Sequence, residues 1–176
     1  MESPLAASRV SDRRVWYTSP MIRPATPADT PSLLSLTAGT GYFKPLEVET
    51  LEGVLNDFHA SNRDDFGHRC FVWEEAGRVL GYVYHAPEEM TDRTWYLWWI
   101  AVAADQQGRG LGGKLLAFAE DDIRAIGARL LVVETSTTEH YDPTRRFYLK
   151  RGYTAAASIP DFYADCDGMA VFTKRV

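Results

Sequence analysis

The sequence has few of the residues that build metal centres or disulfide frameworks. Its 176 residues include two cysteines, Cys70 and Cys166, which lie far apart and form no C-x-x-C pair, and four histidines in no metal-ligand spacing. We therefore expect no metal.

The sequence also lacks an apolar run of the ~20 residues that a membrane span needs, and charges interrupt its first twenty residues, where a signal peptide has an apolar centre. We predict a cytoplasmic protein with no membrane partner.

Basic residues are in the minority. The chain has 19 Lys and Arg against 24 Asp and Glu, a formal net charge of -5, which disfavours a nucleic-acid-binding face but permits a local basic pocket for phosphate. With 45% hydrophobic residues, the chain can bury one core. We predict one domain at residues 21–176. Residues 1–20 mix Ser, Arg, Asp and Pro without periodicity, which predicts an N-terminal extension that could be disordered.

The most informative segment is a glycine-rich octapeptide at residues 107–114. It reads Gln-Gly-Arg-Gly-Leu-Gly-Gly-Lys and lies between a strand-like apolar run and a helix-like amphipathic run. Glycines allow main-chain N–H groups to crowd around an anion, and a helix start adds the positive end of its dipole. The segment therefore predicts a ligand that carries phosphate.

Three phosphate-binding patterns fit this octapeptide. The pattern G-x-x-x-x-G-K fails because Leu115 follows the lysine, where a magnesium-binding hydroxyl is required. The dinucleotide pattern G-x-G-x-x-G fails because five residues, 103–107, separate the apolar run that ends at Val102 from the first glycine, and too little chain follows Glu134 for a doubly wound sheet. The third pattern, Q-x-x-G-x-G, is the acyl-CoA pyrophosphate signature of GNAT acetyltransferases and is spelled by Gln107, Gly110 and Gly112.

Hydrophobic periodicity predicts alternating strands and helices. Strands are predicted at residues 22–25, 69–74, 78–85, 94–103, 129–134, 153–157 and 169–173, and helices at residues 26–39, 46–60, 111–126 and 142–151. Within the strand predicted at residues 94–103, strict alternation of side chains predicts that Trp98 lies on the face opposite Trp95 and Trp99.

The order of these elements resembles the GNAT acyltransferase superfamily, as does a second motif. That motif, Arg-Phe-Tyr-Leu-Lys-Arg-Gly-Tyr at residues 146–153, follows the first at the expected interval, whereas residues 22–103 agree in element order only. The resemblance implies an α+β fold: a mixed, mostly antiparallel central sheet whose parallel strands 4 and 5 splay apart, flanked by helices.

The resemblance implies that acetyl-CoA lies in this splay as cosubstrate. Free backbone groups near Ile100 and Val102 would pair with the pantetheine arm, and the glycine loop would take the pyrophosphate. Tyr141 stands where the family usually has an asparagine, and its hydroxyl could replace the asparagine's bond to pantetheine. The implied cofactor-binding residues are Ile100, Val102, Gln107, Gly108, Arg109, Gly110, Leu111, Gly112, Gly113, Lys114 and Tyr141, with Arg109 and Lys114 adding charge.

Two residues are predicted to be catalytic. Tyr148 matches the family tyrosine that faces the CoA sulfur, and a pKa near ~10 would let it hold a proton for the leaving thiolate at neutral pH. Glu134 ends the fifth-strand segment, where some family members place a catalytic glutamate, while others use a water chain. Weaker alternatives for the base are His140, Asp142 and Asp161.

The predicted reaction is direct acetyl transfer to a primary amine of a small molecule or peptide. By resemblance, residues 159–168 close the acceptor pocket; either this loop is simply solvated, or it holds a protonated amine through Asp161, Asp165 and Asp167 and packs its carbon skeleton with Phe162 and Tyr163. The alternative function is a non-catalytic acyl-CoA-binding sensor or interaction module. The family also allows a homodimer.

Overall fold

A seven-stranded sheet forms the centre of the molecule in the computed structural model, which describes residues 21–176. The predicted extension at residues 1–20 lies outside the described residues. The strands are β1 (Met21–Pro24), β2 (Arg69–Glu75), β3 (Arg78–Pro87), β4 (Thr94–Val102), β5 (Leu130–Ser136), β6 (Thr154–Ala164) and β7 (Asp167–Arg175). They lie side by side in the order β1-β2-β3-β4-β5-β7-β6.

The pair β4 and β5 is parallel, and every other pair of neighbouring strands is antiparallel. The last paired residues of β4 and β5 are Leu97 and Val133. Beyond them β4 continues to Val102 and β5 continues to Ser136, but these two segments do not pair with each other. We name this opening the fork. The predicted fold, a mostly antiparallel sheet with splayed parallel fourth and fifth strands, is confirmed.

Helices cover both faces of the sheet. They are α1 (Thr30–Gly39), α2 (Pro45–Asp57), α3 (Arg63–Asp65), α4 (Leu111–Ala125) and α5 (Asp142–Lys150), with a π-helical segment at Phe58–Asn62 between α2 and α3. One face packs against α1 and α2 and buries Leu33, Leu51 and Leu55. The other packs against α4 and α5 and buries Leu115, Ile123 and Tyr148. No helix within the described range is long and apolar enough to cross a membrane.

A β-bulge interrupts β4 at Trp98. In the ladder with β3, the pairing passes from Leu97 to Trp99 and leaves Trp98 as an extra residue. The side-chain alternation therefore shifts by one, so that Trp95 is buried on the α4 face whereas Trp99 packs on the α1 and α2 face. The prediction that Trp95 and Trp99 share a face was wrong, because strict alternation holds only in a strand without a bulge. The bulge lies where the pairing of β4 with β5 ends.

Candidate active site

Three adjoining cavities follow the fork. The loop cavity, of about 400 Å³, lies between the end of β4, the glycine loop and α5. The fork cavity, of about 170 Å³, lies between the unpaired parts of β4 and β5. The acidic cavity, of about 510 Å³, lies on the other side, against α2 and the start of β7. Tyr148 lines both the loop and fork cavities, and Glu134 lines both the fork and acidic cavities. These two residues therefore mark the passages between the three.

The glycine loop forms one wall of the loop cavity. Gly108 and Gly110 have φ values of 78° and 79°, a left-handed backbone conformation that residues with a side chain rarely adopt. Gly110 is the residue that precedes α4. The first turn of a helix leaves amides without internal partners and carries the positive end of its dipole. The cavity can therefore hold an anion. Its lining includes eight of the predicted cofactor-binding residues: Ile100, Val102, Gln107, Gly108, Gly110, Leu111, Gly112 and Gly113.

The two predicted phosphate-binding cations lie outside this lining. The guanidinium of Arg109 pairs with the carboxylate of Glu75 at 3.2 Å. The ammonium of Lys114 lies over the ring of Trp73, 5.2 Å from its centroid. Neither side chain lines the loop cavity in this structure, and their contact with phosphate stays a prediction.

A different cation, Arg151, lines the loop cavity. Its guanidinium stacks on the ring of Phe147, 3.8 Å from the centroid, and lies so close to α4 that a Cβ at Gly113 would collide with it. Gly113 is thus needed to give the guanidinium its place beside the first turn of α4. Sequence reasoning missed Arg151, although its spacing of four residues from Phe147 puts both on one side of α5.

Tyr141 lines the acidic cavity and not the loop cavity. Its hydroxyl donates a hydrogen bond to the carbonyl of Tyr42 at 2.6 Å. Burial, followed by the charges of Glu47 and Asp167, raises the pKa of Tyr141 to about 12. The hydroxyl is therefore a proton donor at neutral pH, already engaged with the loop between α1 and α2.

Tyr148 is buried, with 3% of its surface exposed. Its ring packs against Tyr153 and Phe172, with centroid separations of 5.4 and 5.9 Å. Burial raises the pKa of Tyr148 well above its ordinary value. The hydroxyl of Tyr148 therefore keeps its proton at any physiological pH, and the residue lines the loop and fork cavities.

Glu134 follows Val133, the last residue of β5 that pairs with β4. Its side chain is exposed, and within residues 21–176 no lysine or arginine forms a salt bridge with it. Burial raises the pKa of Tyr96, and the negative charge of Glu134 raises it further. Glu134 is thus a carboxylate at the point where the strands divide, beside Tyr96 and, within the described residues, without a lysine or arginine partner.

The weaker candidates for a base do not line any of the three cavities. The ring of His140 donates a hydrogen bond to the carbonyl of Gly41 at 3.2 Å. Asp142 pairs with two arginines of α5, and Asp161 accepts a hydrogen bond from a backbone amide of the β6–β7 turn. All three side chains have local structural contacts.

Part of the predicted acceptor loop reaches the acidic cavity. Tyr163 and Asp167 line it, whereas Asp161, Phe162 and Asp165 do not. The lining also includes residues of α2, β4 and β5 and Glu88, which follows β3, and nothing in the sequence predicted that these residues meet. Its carboxylates are Glu47, Glu88, Glu134 and Asp167, and its aromatic residues are Phe43, Tyr96, Trp98, Trp99, Tyr141 and Tyr163.

The acetyltransferase (GNAT) family model matches residues 38–153. The chain belongs to the GNAT acetyltransferase family. The resemblance seen in the sequence and the prediction of an N-acetyltransferase are thereby confirmed. A search of curated protein sequences found no match.

Solved structures place the whole described domain in the GNAT family. A GNAT-family protein from Desulfovibrio desulfuricans is 31% identical, with a TM-score of 0.85 over 89% of this chain and 99% of that chain. The ribosomal-protein-S18-alanine N-acetyltransferase from Escherichia coli is 18% identical, with a TM-score of 0.73 over 90% of this chain and 94% of its own. The Salmonella typhimurium protein yncA, solved with acetyl-CoA, is 21% identical, with a TM-score of 0.69 over 89% and 93%. The latter two share the fold.

Proposed function

We propose that this GNAT-family protein transfers the acetyl group of acetyl-CoA to a primary amine, through a complex that holds both substrates at once. The observation that carries the proposal is the position of Tyr148 and Glu134 at the two passages of the fork. Tyr148, a protonated phenol, lines the cavity beside the glycine loop, and Glu134, a carboxylate without a lysine or arginine partner in the described residues, lines the acidic cavity. A thioester and an amine that meet in the fork would therefore have an acid on one side and a base on the other.

Acetyl-CoA would occupy the loop cavity. The free amides at the start of α4 suit its pyrophosphate, and Arg151 supplies a positive charge beside them. The edge of β4 from Ile100 to Val102 is released from β5 and can pair with the pantetheine amides as an added strand would. The protein yncA, which shares this fold, was solved with acetyl-CoA, and this supports acetyl-CoA as the cosubstrate.

The transfer then requires no metal and no covalent enzyme intermediate. The amine nitrogen attacks the thioester carbon, and a backbone N–H near Val102 steadies the oxyanion. Collapse of the tetrahedral intermediate leaves a new N–C bond and breaks the C–S bond. The proton lost by the amine passes to Glu134, directly or through water, and then to solvent. Tyr148 gives its proton to the leaving sulfur and regains one from solvent.

The high pKa of the Tyr148 hydroxyl is compatible with this role. Burial disfavours any anion, so the desolvation that raises the pKa of Tyr148 also makes a buried CoA thiolate more basic. Burial therefore raises the pKa of the donor, the Tyr148 hydroxyl, and that of the acceptor, the CoA thiol, in the same direction. The difference between the two pKa values, which sets the free energy of the proton transfer, stays small.

A thiol-release assay with acetyl-CoA and a pooled library of primary amines tests this function. We expect amine-dependent release of CoA and the acetylated amine in the product mixture. Tight acetyl-CoA binding without amine-dependent release would contradict the proposal and indicate the non-catalytic module instead. The homodimer and the cytoplasmic location stay predictions.

A further inference from the structure

We propose that the amine acceptor is a small molecule with a second positive charge, such as a diamine or polyamine, and that Glu88 recognises that second charge. The proposal rests on the function proposed above and concerns the other substrate of the same site. It follows from the juxtaposition of an acidic, aromatic cavity with the fork.

The acidic cavity has the size and position of an acceptor site. Its volume of about 510 Å³ falls within the range of roughly 300 to 1,000 Å³ common for small-molecule sites. It shares Leu97, Trp98 and Glu134 with the fork cavity. An amine acetylated in the fork would therefore leave the rest of its molecule in the acidic cavity.

The charges in this cavity favour a cation there. Its four carboxylates face one ammonium, that of Lys44, which is 65% exposed and pairs with Asp167 at 3.4 Å. Within residues 21–176, Glu88 and Glu134 form no salt bridge with lysine or arginine. If Glu134 serves the reacting nitrogen, Glu88 is left for a second nitrogen.

The backbone of Glu88 is fixed next to the sheet, and its side chain is exposed. Its backbone N–H donates a hydrogen bond to the carbonyl of Thr94 at 2.9 Å, so it follows directly on the ladder of β3 and β4. Both Glu88 and Glu134 influence the same phenol: burial raises the pKa of Tyr96, and then the charges of Glu134 and Glu88 raise it further. The two carboxylates therefore act on one region of the cavity, next to Tyr96.

The aromatic residues suit the carbon chain and the charge of such an amine. Tyr96, Trp98 and Trp99 line the cavity, and aromatic faces attract cations and can cover methylene groups. An amino acid or an acidic peptide would instead bring a carboxylate into a cavity that offers it Lys44 alone. A dication with an apolar spacer matches both features of the lining.

The test compares cadaverine with pentylamine and with the amino alcohol of the same chain length, each with acetyl-CoA. We expect kcat/KM for cadaverine to exceed that of both single-charge amines by about tenfold or more, as a charge-assisted hydrogen bond would produce. In Glu88→Gln, the ratio of cadaverine to pentylamine should fall to near one. The control Glu89→Gln changes the exposed neighbour, which does not line the cavity, and should keep the full ratio.

Different results would overturn the inference about the acceptor and the proposed acetyl transfer. Equal use of cadaverine and pentylamine, survival of the preference in Glu88→Gln, or a stronger preference for a basic peptide than for cadaverine would each overturn this inference while leaving acetyl transfer intact. If no amine in the pooled library releases CoA from a protein that binds acetyl-CoA, the proposed function fails, and this inference fails with it. Acetyl-CoA affinity measured for both variants reports whether the fold is preserved.

Discussion

The loop cavity and the acidic cavity lie on either side of the same fork, but different kinds of residue line them. The loop cavity is lined mainly by the end of β4, by the glycine-rich segment at residues 106–113 except Arg109, and by α5. The acidic cavity is lined by carboxylates and aromatic rings from elements spread over most of the chain. The first suits a cosubstrate that a whole family shares, because backbone amides recognise any pyrophosphate. The second can change with a few side chains and therefore suits the substrate that varies.

The largest predicted effect is a loss of kcat on removal of the hydroxyl of Tyr148, a residue that lines the loop and fork cavities. Tyr148→Phe removes the hydroxyl but keeps the ring packing with Phe172, so kcat should fall by about 10² to 10⁴ while the Kd for acetyl-CoA stays nearly constant. In the control Tyr153→Phe, the lost hydroxyl bonds to Glu120 at 3.0 Å, away from the cavities, and kcat should remain near wild type. Undiminished turnover in Tyr148→Phe, measured as CoA release, would exclude this acid.

The carboxylate on the acidic side should matter somewhat less, because water can replace it in part. We expect Glu134→Gln to lower kcat by about 10 to 10² and to leave acetyl-CoA affinity unchanged. Glu139→Gln, an exposed glutamate that lines none of the three cavities, is the matched control. If both variants turn over alike, the base lies elsewhere.

A smaller effect is expected on the loop side, where two neighbouring glycines allow a sharp comparison. An alanine at Gly113 would displace the guanidinium of Arg151, whereas one at Gly112 would meet Phe147 at 3.6 Å, an ordinary contact. Both changes favour the helix by about 1 kcal/mol, so stability does not separate them.

We expect Gly113→Ala and Arg151→Ala each to raise the Kd for acetyl-CoA about tenfold, and Gly112→Ala to change it much less. The double variant Gly113→Ala with Arg151→Ala should bind no worse than either single variant, since both remove the same contact. Calorimetric titration of acetyl-CoA provides the affinities. Equal losses in the two alanine variants, or additive losses in the double variant, would show that Arg151 does not contact the phosphates.

The smallest expected effect is in the pH profile of kcat. Because burial raises the pKa of Tyr148, its protonated form persists to higher pH, and the donor is lost only when the pH exceeds that raised value. We therefore expect no falling limb up to about pH 10, the ordinary pKa of tyrosine. A falling limb near pH ~8 to 9, with a saturating amine, would contradict a buried tyrosine acid.

The two cavities also differ in how far the sequence predicted them. Eight of the predicted cofactor-binding residues line the loop cavity, and they could be predicted because they belong to a short motif or to the strand just before it. The carboxylates of the acidic cavity come from α2, the end of β3, β5 and β7, and only the sheet brings them together. Glu134 was found by its place at the end of a strand. Glu47 and Glu88 are ordinary surface residues in the sequence, and nothing near them marks a site.

Two local features escaped prediction for physical reasons. The bulge at Trp98 is marked by no glycine or proline, and only pairing with β3 reveals the shift in alternation. Arg151 follows the tyrosine motif, and its role depends on its meeting Gly113 of another helix. Both depend on contacts between segments that are distant in sequence, whereas the fold itself followed from the element order and the two motifs.

The central claim is that the two cavities hold the two substrates of one reaction, which meet at the fork. A bisubstrate analogue, in which an acetyl bridge links the CoA sulfur to one nitrogen of cadaverine, tests this directly by calorimetric titration. We expect the analogue to bind at least about 10²-fold tighter than CoA, as transition-state analogues do relative to substrates, and Glu88→Gln to remove part of this gain. An analogue that binds no tighter than CoA would contradict the claim.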